Sequence, residues 1–298
     1  MRVATYSNSE DIIAQIQKLS LRQSRLQSQA ATGQRIFQPE DDPAAVGRVL
    51  GLNSESGQIS QFQSSAARAL DVSQASYGGL QAIKNISDRA GELAVLGAGA
   101  QSPDAYKAYS QEVNQLIEQT VQLGNTKFGN DYLFAGTAVT APAFTTTRNA
   151  AGEVTAAAFA GDTGQTAIQL SSTARIAPGT TNATNLGMRD FMNNLVALRD
   201  GLNVGTSAAI TAVQPSLDNS ENLLVDALSE HGAVQLRIEV NQKQLQTRSD
   251  QIDRLVSKEA DADLPSTVVK LSQTSTAYEA ALSSATKILQ LSILDYLK

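Results

Sequence analysis

Near the start of the chain, apolar residues return at alternating steps of four and three: Ile12, Ile16, Leu19, Gln23, Leu26 and Ala30. That spacing keeps one narrow stripe on one helical face, a seam for a partner helix. Gly33 follows as the expected C-cap. A loop leads to Asp41-Asp42-Pro43. There an aspartate can cap the next helix, and Pro43 fits its first turn because that N–H has no helical partner to lose. No proline interrupts Pro43 to Gly97, which predicts a helix of roughly 80 Å at 1.5 Å per residue. Ile59, Phe62, Ala66 and Ala69 mark its first stripe, and Leu80, Ile83, Ser87, Ala90, Ala94 and Gly97 continue it. Many of these residues are small, so a partner helix can approach closely. Ser102-Pro103-Asp104 predicts a fresh capped start. The next helix carries Tyr106, Tyr109, Val113, Leu116, Thr120 and Leu123 and ends near Gly124-Asn125.

The pattern then changes period. Residues 131–185 are richer in Thr, Gly and Phe, with a turn signal at Asn149 to Gly152. Tyr132 to Gly136, Ala143 to Thr146, Val154 to Phe159, Thr166 to Leu170 and Ala174 to Ala177 read as a small β-rich lobe. Helix returns at Phe191, Leu195, Leu198 and Leu202. A longer run from Ser207 to Glu259 buries Ile238, Leu245 and Ile252, and Pro215 kinks or restarts it. After Asp263-Leu264-Pro265 a last helix carries Leu271, Ser275, Tyr278, Leu282, Ala285 and Leu289, then Ile293.

The reading is therefore a mainly α fold: a long antiparallel helical coiled-coil bundle built from both termini, with a small β-rich lobe inserted. Its expected divisions are an inner N-terminal helix over 1–38, bundle segments over 39–130 and 186–262, the outer lobe over 131–185, and an inner C-terminal helix over 263–298. The two seams are expected to pair with each other. Because a two-helix contact hides one stripe of each helix, both tails are expected to become ordered only when neighbouring copies cover the rest.

Composition narrows the functions. Of 298 residues, 42% are hydrophobic but only 5% aromatic, and the chain has no Cys and one His. A zinc site, an iron–sulfur cluster, a thiol nucleophile and a disulfide framework are thereby set aside. The net charge of −6 argues against broad binding to nucleic acid. No apolar run is long enough for membrane insertion. The first residues, MRVATYSNSEDII, lack the apolar core of a cleaved secretory signal.

Candidate chemistry thins out on inspection. Gly97-Ala98-Gly99 lacks a third glycine and follows a helix, so it reads as helix termination rather than a phosphate loop. Glu40, Asp41 and Asp42 could hold a cation, but capping claims one carboxylate and no calcium-loop spacing follows. His231 lies in a polar helical stretch with no nucleophile tied to it by sequence, which favours a solvated or interhelical histidine over a general base. Tyr106 and Tyr109 read as packing residues, and Asn85-Ile86-Ser87 as a chance glycosylation pattern inside a helix. No catalytic residue, cofactor or metal is expected.

Three blocks carry a resemblance. ATGQRIFQPEDDPAA at 31–45 resembles the N-terminal block of the flagellin superfamily, matching at Gly33, Arg35, Ile36, Asp41, Asp42 and Pro43. Pro39 and Pro43 are similar to its hook–filament junction branch. GNDYLFAGT at 129–137, followed by Ala141 to Phe144, looks like the strand region of that branch. Tyr278 to Leu282 and Leu294 to Leu297 are similar to its C-terminal helix.

The resemblance implies a structural adaptor joining the flagellar hook to the filament, secreted through the flagellar export channel and located outside the cell. It implies assembly through the terminal helices, at Ile12, Ile16, Leu19, Leu26, Leu271, Tyr278, Leu282, Ala285, Leu289 and Ile293. The implied partners are further copies of the chain in a ring or helical layer, the first hook-associated protein, flagellin, and an export chaperone at the C-terminal region. A short filament flagellin is the alternative, and a secreted helical adhesin a more distant one. Pro215 departs from the smoother helix of that branch.

Overall fold

The computed structural model describes residues 2–99 and 102–296, with side-chain surroundings for 10–99 and 102–287. In chain order its elements are α1 (Arg2–Thr32), α2 (Pro43–Ala98), α3 (Pro103–Gly124), β1 (Lys127–Phe128), β2 (Asp131–Tyr132), β3 (Phe144–Arg148) and β4 (Val154–Phe159). There follow β5 (Ile168–Gln169), β6 (Arg175–Ile176), α4 (Asn182–Val204), α5 (Ser207–Thr211), α6 (Gln214–Ala260) and α7 (Leu264–Tyr296). The fold is mainly α with a small β-rich lobe. It divides into two compact units, Met1–Gly57 with Ser249–Lys298, and Gln58–Arg248.

The helix boundaries have local causes. Ser102 accepts the Ala105 N–H at 3.3 Å to cap α3, and Pro103 lies in the first turn. Thr181 accepts the Thr184 N–H at 3.2 Å to cap α4. Pro215 is the second residue of α6, so it restarts a helix after α5 rather than kinking one, and its missing N–H costs no helical bond.

Within the larger unit the main core joins Leu80, Ile83 and Leu93 of α2, Val113 and Ile117 of α3, and Phe191, Leu195 and Leu198 of α4, all fully buried. Burying each such side chain contributes about 1.5–3 kcal/mol. Small residues make the close approaches. A Cβ on Gly97 would lie 2.7 Å from Leu202 Cδ2 and 3.2 Å from Ile210 Cδ1, so this position is packing rather than phosphate binding.

Three two-stranded antiparallel sheets, β1–β2, β3–β4 and β5–β6, form the lobe. Pairing begins at Lys127, ahead of the Tyr132 to Gly136 stretch that the sequence marks as its opening, and only Tyr132 of that stretch is strand. Phe134 is instead a fully buried anchor. The β3–β4 hairpin docks on α4 through polar groups. Asn193 donates to the Ala157 carbonyl (3.1 Å) and accepts its N–H (2.9 Å). The buried Arg199 donates to the Val154 carbonyl at 2.6 Å.

A second apolar cluster gathers Ala66, Ala69, Leu170, Ile176 and Ile238. On α2, the buried Ser73 and Ser76 come between its residues and Leu80 of the main core, and on α6 the buried His231 plays the same part.

Candidate assembly surface

The smaller unit holds the features that the sequence marks for assembly. Helices α1 and α7 pack on each other. α1 ends, and α7 begins, beside the same junction, so the pair is antiparallel. On α1 the seam faces inward as spaced: Leu26 is buried, and Ile12, Ile16, Leu19, Gln23 and Ala30 are half-buried. The neighbouring Ile13 and Leu21 stay exposed.

On α7 the contact is displaced. Its inward positions are Thr267, Leu271, Thr274, Tyr278, Ala281 and Ala285, an unbroken alternation of four and three. Leu271, Tyr278 and Ala285 are half-buried, whereas Leu282 is 39% exposed. Leu264, Val268 and Leu282 fall at heptad-compatible spacing on a second stripe, and all three are exposed. One helix thus presents two adjoining stripes, one occupied by α1 and one open. The side chains of Leu289 and Ile293 lie outside the described residues.

Among the described side chains of α1 only Leu26 is buried, and among those of α7 only Thr267 and Thr274. Ordering a backbone costs about 1–2 kcal/mol per residue, and these few buried side chains offset only part of it.

The Gly33–Pro43 motif builds the junction below this pair. Gly33 has φ +74, a left-handed conformation that ends α1, and its N–H donates to the Gln29 carbonyl at 2.9 Å. Its carbonyl accepts the Ala262 N–H at 2.7 Å, and the Arg35 N–H donates to the Ala260 carbonyl at 2.7 Å. Gln34 and Asp261 form the β-bridge between these bonds. Arg35 then spans the junction. Its guanidinium donates to the Glu259 carbonyl at 2.6 Å and to Asp42 at 3.1 Å.

Two residues of the acidic triplet, Asp41 and Asp42, make structural bonds. Asp41 accepts the N–H groups of Phe37 (2.9 Å) and Gln38 (3.1 Å) and pairs with Arg25 at 2.5 Å. Those backbone donors, with Arg25 behind them, hold its carboxyl below the usual range. Asp42 caps α2 through the Ala45 N–H at 3.0 Å. That bond first, and Arg35 second, lower its pKa as well. Glu259 is lowered by Arg48, which donates to it at 2.8 Å. Pro43 opens α2 directly after the cap. So Gly33, Arg35, Asp41, Asp42 and Pro43 work together: they tie the α1–α2 turn to the α6–α7 turn.

Sequence reasoning missed two features. The partners of Arg35 on α6 lie 224 residues away, and no local signal marks them. Gly129 to Leu133 and Gly136, with Arg68 and Val72 of α2, line a cleft of about 630 Å³ in the larger unit, and a cleft has no sequence pattern. His231 is the interhelical histidine expected, its Nδ1 3.5 Å from Ser73 Oγ. Tyr106 is buried, with its hydroxyl donating to the Gly99 carbonyl at 3.1 Å. No helix among the described residues is long and apolar enough to cross a membrane.

Comparison with known proteins gives this geometry a context. Residues 3–139 match the family described as the bacterial flagellin N-terminal helical region. Flagellar hook-associated protein 3 of Salmonella typhimurium is 27% identical over 138 residues, which cover 46% of this chain and 44% of that relative. The matched stretch thus spans less than half the length of that relative. Among solved structures, a Vibrio parahaemolyticus protein assigned as a flagellar hook-associated protein shares the fold at a TM-score of 0.66 and 16% identity, covering 74% of this chain and 100% of that one. Flagellar hook associated protein-3 of Legionella pneumophila gives 0.59 at 14% identity, covering 70% and 97%.

Proposed function

We propose, from a chain whose residues 3–139 match the bacterial flagellin N-terminal helical region and whose fold is similar to that of flagellar hook associated protein-3, a structural role: an adaptor subunit joining the flagellar hook to the filament. The observation that carries this reading is the open stripe on α7. Leu264, Val268 and Leu282 remain exposed next to a seam already filled by α1. A helix with two adjoining heptad stripes suits a layer of helices in which each helix touches two neighbours. Further copies of the chain would supply the second contact, and burial there would offset the ordering cost of both tails.

In this reading the first hook-associated protein and flagellin bound the layer on its two sides. An export chaperone covers the C-terminal helix before assembly, and the subunit passes unfolded through the flagellar export channel. Its work is binding and positioning rather than catalysis. A filament flagellin is the second reading. It differs in outcome, because purified flagellin extends long filaments from seeds whereas an adaptor stops at a short layer.

Deletion of the gene tests the proposal. Cells should keep hooks, lose filaments and release flagellin monomers into the medium. A copy carrying Leu282→Glu should fold, because the side chain is exposed, yet fail to restore filaments. Filaments in the deletion strain, or full rescue by Leu282→Glu, would overturn it.

A further inference from the structure

The larger unit contains a cavity of about 200 Å³ that the assembly role does not use. Its lining includes Arg175 of β6, Arg237, Glu230 and His231 of α6, Thr181 at the cap of α4, and Gln165. The side chain of His231 is almost wholly enclosed, at 3% exposure. Its Nδ1 faces Ser73 Oγ at 3.5 Å, and Gln235 beside it donates to the Ser73 carbonyl at 3.3 Å. Neither Arg175 nor Arg237 forms an ion pair with any described residue. Glu230 also lines the cavity, but it is not within ion-pairing distance of either.

Two guanidinium groups sharing one small concavity repel each other, and a buried imidazole beside them is a third group able to donate. An arginine presents a planar fork of N–H donors that matches adjacent oxygens of a phosphate. Partial enclosure raises the strength of such contacts above their value in open water. With Glu230 opposing the two arginines the lining carries a net charge of +1, and protonation of His231 brings it to +2, the charge that a doubly charged anion neutralises and a single chloride does not.

We propose that this cavity is a binding site for a small tetrahedral oxyanion of the phosphate or sulfate class, held by Arg175 and Arg237 with His231 as a third donor. The chain's single histidine makes the site readable. Its imidazole ring gives one set of carbon-bound proton signals, so a proton NMR titration of the full chain reports on this cavity alone. Burial lowers the pKa of His231. An anion against the ring would raise it, because the charged form gains a partner. Glu230, Arg175 and Arg237 are the charged groups facing the ring across the cavity, and Ser73 faces it from α2.

The experiment adds inorganic phosphate to the purified chain, with sodium chloride at matched ionic strength as the control. The expected result is a saturable shift of the His231 signal with phosphate, a smaller or absent shift with chloride, and a rise in the pH at which the ring titrates. Both arginines are exposed, so Arg237→Gln and Arg175→Gln should fold. Each is expected to weaken phosphate binding by at least about tenfold. A phosphate shift no larger than that with chloride overturns the proposal. So does a saturable shift that survives in the double variant.

Discussion

Replacement of Gly33 isolates the energetics of the junction. Its φ of +74 lies where a side chain is disfavoured, yet a Cβ built there meets nothing within 4 Å. The cost of Gly33→Ala is therefore conformational rather than steric, of order 1–2 kcal/mol for a left-handed residue. That cost falls on the closed junction, where the Gly33 carbonyl accepts the Ala262 N–H and the adjoining Arg35 N–H reaches the Ala260 carbonyl. A loss of that size raises the population of the open junction about 5–30-fold. Native-state hydrogen exchange reads it directly, because amides that exchange through a local opening speed up by the same factor. The Arg35 and Ala262 amides should accelerate together, whereas the Ala157 amide, bonded to Asn193 in the larger unit, should not change. Gly33→Asn should accelerate them less, since asparagine tolerates this conformation better. Unchanged exchange in Gly33→Ala, or equal acceleration in the Asn and Ala variants, would refute the reasoning.

Acid should open the same junction. Asp41, Asp42 and Glu259 all have lowered pKa values, so their stabilisation is full above the ordinary carboxylate range and is lost as pH falls through the depressed folded values. Cleavage between residues 33 and 43 by an acid-active protease should begin only below about pH 4; cleavage already at pH 6 would contradict this. His231 predicts a second pH dependence, in the larger unit. Burial lowers its pKa, so its part of the stability is full above about pH 6.5 and declines as pH falls toward the depressed folded value. Thermal melts of wild type and His231→Leu between pH 7 and 5 should show the wild-type slope and its loss in the variant. Phe191→Ala, at a fully buried position, should cost about 3–5 kcal/mol in urea unfolding of the larger unit; a loss below 1 kcal/mol would mean that the α3–α4 core is not as packed as described.

The sequence discloses helical faces well and helical partners poorly. Every position of the α2, α3 and α4 stripes named from spacing is buried or half-buried, because periodicity of 3.6 residues decides which face is apolar wherever one face is covered. The caps at Asp42 and Ser102 were legible for a similar reason, since their donors lie three residues away. On α7 the same reasoning chose Leu282, which is exposed, where the adjacent Ala281 is half-buried. Hydrophobicity favours leucine, whereas close approach to α1 favours small side chains, and only packing decides between the two. The motif at 31–45 was recognisable by its letters, but its role was not. Arg35 acts on a carbonyl of α6, and a backbone acceptor carries no sequence signature. The cavity beside His231 is hidden for the same reason: its lining comes from separate segments between Gln165 and Arg237.

The span of Arg35 also fixes an order of events. Its acceptor on α6 is 224 residues downstream, so no partial chain that emerges amino end first can close this lock. Whichever end leads, the fastening between the two turns waits until nearly all of the polypeptide has arrived. A chain cut short before Glu259 therefore lacks the acceptor through which Arg35 fastens the two turns.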